Sequence, residues 1–302
     1  MTLKTELIVN LTSGGGKPRQ QLDPISKFLK ENNFEFAVNF TNHHKDAVTL
    51  AKKAADRKVD LIISVGGDGT INEIINGIML SEHHPALGII PLGWANDFIK
   101  SVGISSNVID ACKVILRGNT KKIDLGLINE QIYFANIFGI GFDAETAYLA
   151  NRMKDNHPNW HFFSAFVYVF ATIRKLLAPF SYHPVKVKIN QEETNTKILF
   201  IAIGNGSTYG GKFKITPHAL VDDGFLDICL VKDLGRLKYL LLIPKAIKGT
   251  HENVRGVLFY KTKEIEIESK EPLKGQVSGE IIKEQKKFKI TLVPKCLELI
   301  VP

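Results

Sequence analysis

The first 127 residues alternate short apolar runs with stretches of helical spacing. The apolar runs predict strands at residues 7–10, 34–40, 61–65 and 86–91. Residues 61–65 are apolar almost without interruption, as expected for a strand buried on both faces. Helical spacing or alanine-rich composition predicts helices at residues 18–29, 45–58 and 71–79. Because strands that alternate with helices are typical of parallel sheets, this part of the chain predicts an α/β domain.

The pattern changes from about Lys121 onward. Most later apolar segments are strand-like and separated by short polar turns, at residues 133–138, 185–190, 198–204, 225–231, 257–262, 264–268 and 288–293. Helices are predicted at residues 160–177 and 234–248. The change of period predicts a domain boundary near Leu127 and a second, mainly antiparallel domain.

Composition and charge limit the classes of protein. At about 150 residues per domain, 302 residues agree with two domains, and 44% apolar with 23% charged residues excludes a disordered chain. The net charge of +8 favours an anionic partner, which leaves nucleotide, nucleic acid and acidic membrane open. The chain has no helix-turn-helix, zinc-finger or RNA-binding aromatic signature, so we expect no nucleic-acid partner.

Cysteine usage and the apolar segments predict a cytoplasmic protein. Cys112, Cys229 and Cys296 lie too far apart for a disulfide framework or a CxxC zinc site. The N-terminus has no signal-peptide pattern. The longest apolar region, residues 160–180, is interrupted by Arg174 and Lys175 and is too short to span a bilayer.

A glycine-rich turn follows the buried strand at 61–65 and precedes a helix. It comprises Gly66, Gly67, Asp68, Gly69 and Thr70. Such a turn presents backbone N–H groups and the positive end of a helix at the carboxyl edge of the sheet, where a phosphate binds well. Asp68 and a phosphate are both negatively charged, so they can lie side by side when a metal ion or a network of hydrogen-bond donors stands between them. The alternative is a tight turn in which Asp68 caps the helix.

Two common nucleotide motifs are absent. GxGxxG lacks its third glycine, and a Walker A motif fails at Pro18 and Leu11. The turn at residues 13–16 is either a second phosphate-facing loop or a plain flexible turn.

Several motifs, in order along nearly the whole chain, resemble those of one family. They are NLTSG at 10–14, GGDGTINEIING at 66–77, PLGWANDF at 91–98, DLG at 124–126, NIFGIGFD at 136–143, GNG at 204–206, PHA at 217–219 and DDGFLD at 222–227. This series resembles the diacylglycerol kinase catalytic-domain family, especially its small bacterial lipid kinases.

The resemblance implies an α/β plus all-β architecture. An N-terminal α/β domain with a parallel sheet, of the NAD kinase and diacylglycerol kinase type, would cover residues 1–127 with about 296–302. A C-terminal antiparallel β-sandwich domain would cover 128–295. It also implies ATP-dependent, Mg²⁺-dependent phosphorylation of a lipid hydroxyl, with diacylglycerol converted to phosphatidic acid and the nucleotide between the two domains.

The resemblance also implies roles for individual residues. The nucleotide-binding positions would be Asn10, Ser13, Gly14, Thr41, Gly66, Gly67, Asp68, Gly69, Thr70, Asn72, Trp94 and Asn96. Glu280 would be the proton acceptor, and Asp68 and Asp97 would form a network that links nucleotide, water and metal. Asp223 would bind Mg²⁺ together with main-chain oxygens near Leu220 and Phe225.

The residues alone leave alternatives for two of these positions, and the sequence departs from the family at two others. Glu280 also fits a solvated turn residue, and Asp223 an ordinary turn. The family's usual Asp-Gly-Glu has Ser278 in place of the aspartate, and Trp94 stands where relatives usually carry a small hydroxyl residue. A serine can form hydrogen bonds but does not accept a proton at neutral pH.

Residues 151–190 predict a membrane contact. They hold six basic side chains against Asp155 alone, interleaved with aromatic residues that include Trp160, Phe162 and Phe163. This mixture is typical of a surface that rests on an anionic bilayer, although a core helix with a solvated basic end fits equally. We therefore expect a peripheral protein at the inner membrane surface. A homodimer is also compatible with the sequence.

Two other functions remain open at this point. One is a soluble-substrate kinase of the NAD kinase type, which shares the GGDGT turn. The other is a catalytically silent protein that binds nucleotide or lipid, for which Ser278 is the main argument.

Overall fold

The structure is a computed structural model, and it describes residues 3–156 and 164–302. It divides into two compact units. The first unit comprises Met1–Leu125 and Pro294–Pro302, and the second unit comprises Gly126–Val293.

The first unit is an α/β domain with a parallel sheet, as predicted. Its elements are β1 (Thr5–Val9), a short 3-10 helix (Ser13–Gly15), α1 (Lys17–Glu31), β2 (Ala37–Phe40), α2 (Asp46–Asp56), β3 (Leu61–Gly66), α3 (Asp68–Met79), β4 (Ala86–Pro91), α4 (Asp97–Ser101) and α5 (Val108–Arg117). The strand order is β4-β3-β1-β2, all parallel. Parallel strands place all their carboxyl ends at one edge, so the loops that follow β1, β3 and β4 share that edge.

Burial of apolar side chains explains why these strands and helices pack together. Every residue of β3 is buried, as the near-continuous apolar run predicts. On one face of the sheet, Ile25 and Leu29 of α1 and Cys112 and Ile115 of α5 pack in the same apolar cluster as the strands. The predicted strand at 34–40 starts later, at Ala37, because the Phe34 N–H bonds to the Leu29 carbonyl at the end of α1.

The second unit contains the antiparallel part of the structure. Its elements are β5 (Thr120–Ile128), β6 (Ile132–Phe134), β7 (Ile137–Gly141), α6 (Phe142–Asn156), α7 (Ser164–Leu177), β8 (His183–Ile189), β9 (Glu192–Gly204), β10 (Leu226–Lys232), α8 (Arg236–Lys248), β11 (Val257–Thr262), β12 (Glu264–Val277) and β13 (Glu280–Ile300). β5 begins and β13 ends in the first unit, where Leu299 pairs with Leu87 of β4.

The strand order of the second unit is β11-β10-β9-β7-β12-β13, and β8 pairs with both β9 and β12. β9 and β12 are long enough to pair with β8 along one half and with β7 along the other. This double pairing confirms the predicted sandwich-like antiparallel domain, whose apolar core includes Phe134, Phe138 and Phe288.

Several elements of the second unit differ from the sequence predictions. The strand predicted at 133–138 is two strands, because the Asn136 carbonyl turns aside to accept N–H bonds from Asn205 and Gly206. The strand predicted at 264–268 continues to Val277 through irregular pairing with β13. Helix α6 was not predicted, because its apolar residues are distributed around the helix and do not form a clear apolar face.

The helix predicted at 160–177 is described from Ser164 onward as α7. Trp160, Phe162 and Phe163 lie outside the described residues. Among the residues that the structure does describe, no helix is both long and apolar enough to cross a bilayer.

Candidate active site

Three loops of the first unit meet at the carboxyl edge of the parallel sheet. They follow β1, β3 and β4. A Cβ added to Gly93 would lie 2.5 Å from the Cα of Gly67, and one added to Gly14 would lie 2.2 Å from the Leu92 carbonyl oxygen. Gly14 also has φ of +57°, a left-handed conformation that glycine adopts at little cost. The loops thus approach backbone to backbone, as a phosphate site needs.

Hydrogen bonds hold the first loop against the glycine turn. The Asn10 side-chain amide donates to Thr70 Oγ1 at 3.1 Å. The Asn10 side-chain oxygen Oδ1 accepts from the Thr12 N–H at 3.1 Å and from the Thr12 hydroxyl at 2.8 Å. Ser13 lies on the same side, with its Oγ 3.2 Å from where a Gly67 Cβ would be. The structure therefore brings Asn10, Ser13, Gly67 and Thr70 together.

Helix α3 begins in the glycine turn with uncapped amides. Its N-cap residue is Gly67, which has no side chain to accept their hydrogen bonds, and the first helical bond runs from the Ile71 N–H to the Gly67 carbonyl at 3.0 Å. The N–H groups of Asp68, Gly69 and Thr70 belong to this first turn, where the helix dipole favours an anion. The arrangement suits a phosphate group.

Asp68 does not cap its own helix. Its Oδ1 accepts the Phe98 N–H at 2.9 Å and its Oδ2 accepts the Asp97 N–H at 3.0 Å, so it caps α4. Desolvation raises the pKa of Asp68 above its usual value, against the opposing effect of these backbone hydrogen bonds. Asp97 is buried and its carboxylate accepts a bond from Lys100 Nζ at 2.8 Å. Asp68 and Asp97 thus belong to one hydrogen-bonded network.

A groove of about 930 Å³ runs beside the loop after β4. Trp94 lines it with half of its side chain exposed, and Lys17 Nζ lies 5.1 Å from the Trp94 ring centroid. Asn96, at φ of +47°, closes the loop by accepting the Gly93 N–H at 2.9 Å. Lys17 and Lys100 both line the groove and were missed by the sequence analysis. Their positions close to glycine turns were the available signal.

Two further predicted nucleotide positions are Thr41, at the same edge of the sheet, and Asn72, inside helix α3. Thr41 directly follows β2, and its N–H bonds to the Val9 carbonyl at 3.0 Å. Asn72 is in α3, half-buried, and its carbonyl accepts a bond from the Asn76 amide. Their role toward a nucleotide stays a prediction.

In the second unit, Glu280 follows a tight hairpin turn between β12 and β13. Val277 pairs with Glu280, and the two turn residues, Ser278 and Gly279, both have positive φ. A two-residue turn of this kind matches the twist of the strands and favours Asn, Asp and Gly at its two positions. Ser278 adopts the same left-handed conformation at φ of +51°, so the loss of an aspartate leaves the turn intact.

A buried glutamine supports this turn. The Gln276 side-chain oxygen accepts the Gly279 N–H at 2.8 Å, and its amide donates to Asp143 Oδ2 at 2.5 Å. A Cβ on Gly139 would lie 2.2 Å from that same Asp143 oxygen, so the pair needs a glycine there. Asp143 belongs to the quoted motif at 136–143, but its partner is 133 positions away in sequence.

Asp143 also lines an apolar cavity in the second unit. The cavity has about 80 Å³ of room and is lined mainly by aromatic and aliphatic side chains, among them Phe142, Phe200, Phe213, Tyr239 and Leu242. Burial, and then the charge of Asp143, raise the pKa of Tyr239 above its usual value. The cavity therefore offers apolar walls with one carboxylate.

The predicted magnesium ligand Asp223 is already engaged. Its Oδ1 accepts the Phe225 N–H at 3.1 Å, and its Oδ2 accepts Lys261 Nζ at 2.8 Å. Lys261 also lies 3.6 Å from Asp227, a buried carboxyl group whose pKa desolvation raises above its usual value. Carboxylate and main-chain oxygens suit Mg²⁺, but an ion at Asp223 has to displace this ammonium group. Magnesium at Asp223, Leu220 and Phe225 therefore stays a prediction.

Two family models match this chain, one over most of the first unit and one over most of the second. Residues 4–128 match the family model described as diacylglycerol kinase catalytic domain, and residues 136–301 match the one described as YegS C-terminal NAD kinase beta sandwich-like domain. A diacylglycerol kinase of Bacillus subtilis is 28% identical over 281 residues, 92% of this chain and 89% of that protein.

Two further relatives support the same family. A Chromohalobacter salexigens protein named "Probable lipid kinase YegS-like" is 30% identical over 278 residues, 91% of this chain and 86% of its own. A crystal structure of a diacylglycerol kinase from Bacillus anthracis superimposes with a TM-score of 0.76 at 28% identity, covering 99% of this chain and 97% of that one. The chain therefore belongs to the diacylglycerol kinase catalytic-domain family, in the branch with a YegS-type C-terminal domain.

Proposed function

We propose that this protein is an ATP-dependent lipid kinase that transfers the γ-phosphate to a lipid hydroxyl, with diacylglycerol as acceptor and phosphatidic acid as product. The hydroxyl oxygen attacks the γ-phosphorus, the bond from that phosphorus to the β–γ bridging oxygen breaks, and ADP leaves. The hydroxyl proton passes to a carboxylate. Magnesium enters with ATP as part of the donor and neutralises charge on its phosphate oxygens.

The observation that carries the proposal is the convergence of three backbone-lined loops at the sheet edge. Phosphoryl transfer depends on positioning and on neutralising phosphate charge, and the uncapped amides after Gly67 supply donors for both. Lys17 adds positive charge in the adjoining groove beside the Trp94 ring, and Lys100, which is paired with Asp97, lines the same groove. We assign the phosphates to the glycine turn and the nucleoside to this groove.

Glu280 is the proposed general base of the second unit. A carboxylate takes the proton from an acceptor hydroxyl when it lies within about 2.6–3.2 Å of it or one water away. The hairpin turn and its buried Gln276 support determine the direction in which Glu280 leaves the strand end. Ser278 retains that turn, which favours an active enzyme over the catalytically silent alternative.

The apolar cavity favours a lipid acceptor over a soluble one. NAD carries two phosphates and two riboses, and it would leave its polar groups unpaired against walls built from Phe142, Phe200 and Leu242. An acyl chain matches such walls, and Asp143 in the lining offers a carboxylate to a hydroxyl group. The reaction would take place at the inner membrane surface, where the acceptor resides.

The test is a transfer assay with ATP labelled at the γ-phosphate. Purified protein is incubated with Mg²⁺ and, separately, diacylglycerol in mixed micelles, a sphingoid base and NAD. We expect label in phosphatidic acid, and label in NAD or in the sphingoid phosphate would contradict the proposed acceptor. Binding of ATP without transfer to any acceptor would favour the silent alternative.

Two matched variants test whether Glu280 is the general base. Glu280→Gln should lower turnover at least a hundredfold with little change in ATP affinity, since general-base catalysis contributes roughly 10²–10⁴ in rate. The control is Glu284→Gln on the same strand, whose carboxylate faces Lys274 in a partly exposed ion pair. Equal activity of the two variants would exclude Glu280 as the base.

A further inference from the structure

A narrow apolar slot lies at one end of the β-sandwich core in the second unit. It has about 170 Å³ of room, and its apolar lining comprises Val187 and Ile189 of β8, Leu230 of β10, and Leu258 and Tyr260 of β11. The side chains of Val187, Ile189 and Leu230 belong to the buried core cluster, and Leu258 packs against it. Tyr260 is 37% exposed. The slot is therefore a recess of the apolar core with an exposed aromatic side chain at its wall.

Hydrogen bonds from a hairpin turn keep the slot in shape. Asn190 and Gln191 form the turn between β8 and β9, and both have positive φ. The Asn190 side-chain amide donates to the Lys261 carbonyl at 3.0 Å, and its side-chain oxygen accepts from the Thr262 hydroxyl at 2.8 Å. β8 pairs with β9 and β12, whereas β11 pairs with β10. The turn thus joins two strands that do not pair with each other, and the slot between them is formed by the fold itself.

A groove with an excess of positive charge adjoins the slot, and we call it the basic groove. Thr196 and Lys232 line both the slot and the groove, which has about 460 Å³ of room. Its charged lining residues are Lys197, Lys232, Asp233, Lys238 and Arg255. Four basic groups therefore stand against one carboxylate. Within the described part of the chain, none of the four basic groups forms an ion pair.

Charge defines one end of a ligand for this place. Positive groups that converge without a counter-ion repel one another, and an anion relieves that repulsion. A phosphate monoester carries a charge of about −1.5 to −2 at pH 7 and offers three acceptor oxygens. The planar guanidinium of Arg255 can donate two parallel hydrogen bonds to such a group. The basic groove therefore suits a phosphate monoester.

Volume defines the other end of the ligand. An apolar cavity of roughly 150 Å³ holds one benzene molecule, so the 170 Å³ of the slot has room for one six-membered ring. The Tyr260 ring at the wall allows an aromatic contact with it. The paired long chains of a membrane lipid exceed this room. The slot therefore suits a single aromatic ring.

We propose that the slot and the basic groove together bind a soluble aryl phosphate, with its ring in the slot and its phosphate among Lys197, Lys232 and Arg255. This site belongs to the second unit alone. It goes beyond the kinase reaction, because it depends neither on the phosphate donor nor on the identity of the lipid acceptor.

The test is an NMR titration of the methyl-labelled full-length protein with phenyl phosphate, inorganic phosphate and phenol. The methyl groups of Val187, Ile189 and Leu230 report on the slot. We expect phenyl phosphate to shift these signals and to bind at least tenfold more tightly than inorganic phosphate or phenol, since burial of the ring adds to the charge attraction. Equal affinity for phosphate and phenyl phosphate would overturn the proposal, and so would slot signals that do not shift.

Two variants separate the contributions of charge and of the slot. Lys197→Glu/Arg255→Glu reverses two exposed charges of the basic groove and should weaken binding of phenyl phosphate at least tenfold. Thr196→Phe places a ring in the slot and should lower the affinity for phenyl phosphate to that for inorganic phosphate. The control, Lys283→Glu/Lys286→Glu, makes the same charge change at two exposed lysines of β13.

Circular dichroism melting verifies that each variant is folded. An equal loss of affinity in the control and in the groove variant would overturn the proposal, because net charge and not the basic groove would then attract the ligand. If Thr196→Phe is unstable, the groove variant and the slot signals of wild type still decide.

A lipid source of the same phosphate group is tested with dihexanoyl phosphatidic acid. Because one ring fills the slot, we expect this lipid to bind at least tenfold more weakly than phenyl phosphate. Binding as tight as that of phenyl phosphate would overturn the choice of an aryl ligand. All these titrations are read without catalysis, so their failure leaves the proposed function standing, and failure of lipid phosphorylation leaves this site standing.

Discussion

Removal of the Gln276 side-chain amide should destabilise the second unit and disturb the hairpin before Glu280. Gln276 is 1% exposed, donates to Asp143 at 2.5 Å and accepts from Gly279 at 2.8 Å. Gln276→Leu keeps the volume of the side chain and removes both bonds. A hydrogen bond to a charged group contributes about 1.5–3 kcal/mol and a neutral one about 0.5–1.5 kcal/mol. We therefore expect a loss of about 2–4 kcal/mol in the free energy of unfolding.

The measurement is urea unfolding at pH 7 followed by circular dichroism. The control is Gln131→Leu, an exposed glutamine in the turn before β6, which should change stability by no more than about 0.5 kcal/mol. A Gln276→Leu variant as stable as this control would refute the reasoning, since the two bonds would then carry no net stability.

Kinetics add a second readout for Gln276. Because the turn directs Glu280, the Gln276→Leu variant should lose kcat while the KM for ATP changes little. Gln276→Glu keeps an acceptor for the Gly279 N–H but places a carboxylate beside Asp143, so it should recover activity only when one of the two carboxyl groups is protonated. A KM effect with unchanged kcat would contradict a positioning role for Gln276.

Three further predictions follow from single contacts. Gly93→Ala places a Cβ 2.5 Å from the Gly67 Cα, so ATP affinity measured by calorimetry should fall at least tenfold, whereas Gly235→Ala, which has open space around it, should leave affinity unchanged. Lys261→Met removes the ammonium group from Asp223 Oδ2, so Mg²⁺ without nucleotide should raise the Tm of the variant more than that of wild type; the reverse order would contradict competition between Lys261 and a metal. Burial alone would raise the pKa of Glu145, but hydrogen bonds from His183 and Lys175 and their charges outweigh it and lower the pKa to about 2. Because this folded-state value lies below the unfolded one, Glu145 contributes roughly 3 kcal/mol above about pH 4.5 that is lost as the pH falls toward 2. Stability of Glu145→Gln should therefore depend less on pH in that window, and an acid-unfolding profile identical to wild type would contradict this.

The α/β part of the fold and the position of the glycine turn follow from local sequence. The apolar run at 61–65 and the helical spacing at 71–79 each extend over less than 15 residues, and the structure places β3 and α3 there. Hydrophobic periodicity and the conformational preferences of turn residues depend on residues that are close together in the chain. They can therefore be recognised without knowledge of the fold. The same reasoning placed Ser13 and Gly14 in a loop after the strand predicted at 7–10. The contacts of Asn10 with Thr70 and of Gly14 with Leu92 required the sheet order.

The contacts that give the site its chemistry were decided only by tertiary structure. Asp68 was predicted to cap its own helix or face a phosphate, but the fold gives its carboxylate to the amides of Asp97 and Phe98. The bonds from Gln276 to Asp143 and from Lys261 to Asp223 join residues 133 and 38 positions apart. Such pairs depend on strand register and on which side chains burial forces together, and these are not encoded in any single local stretch.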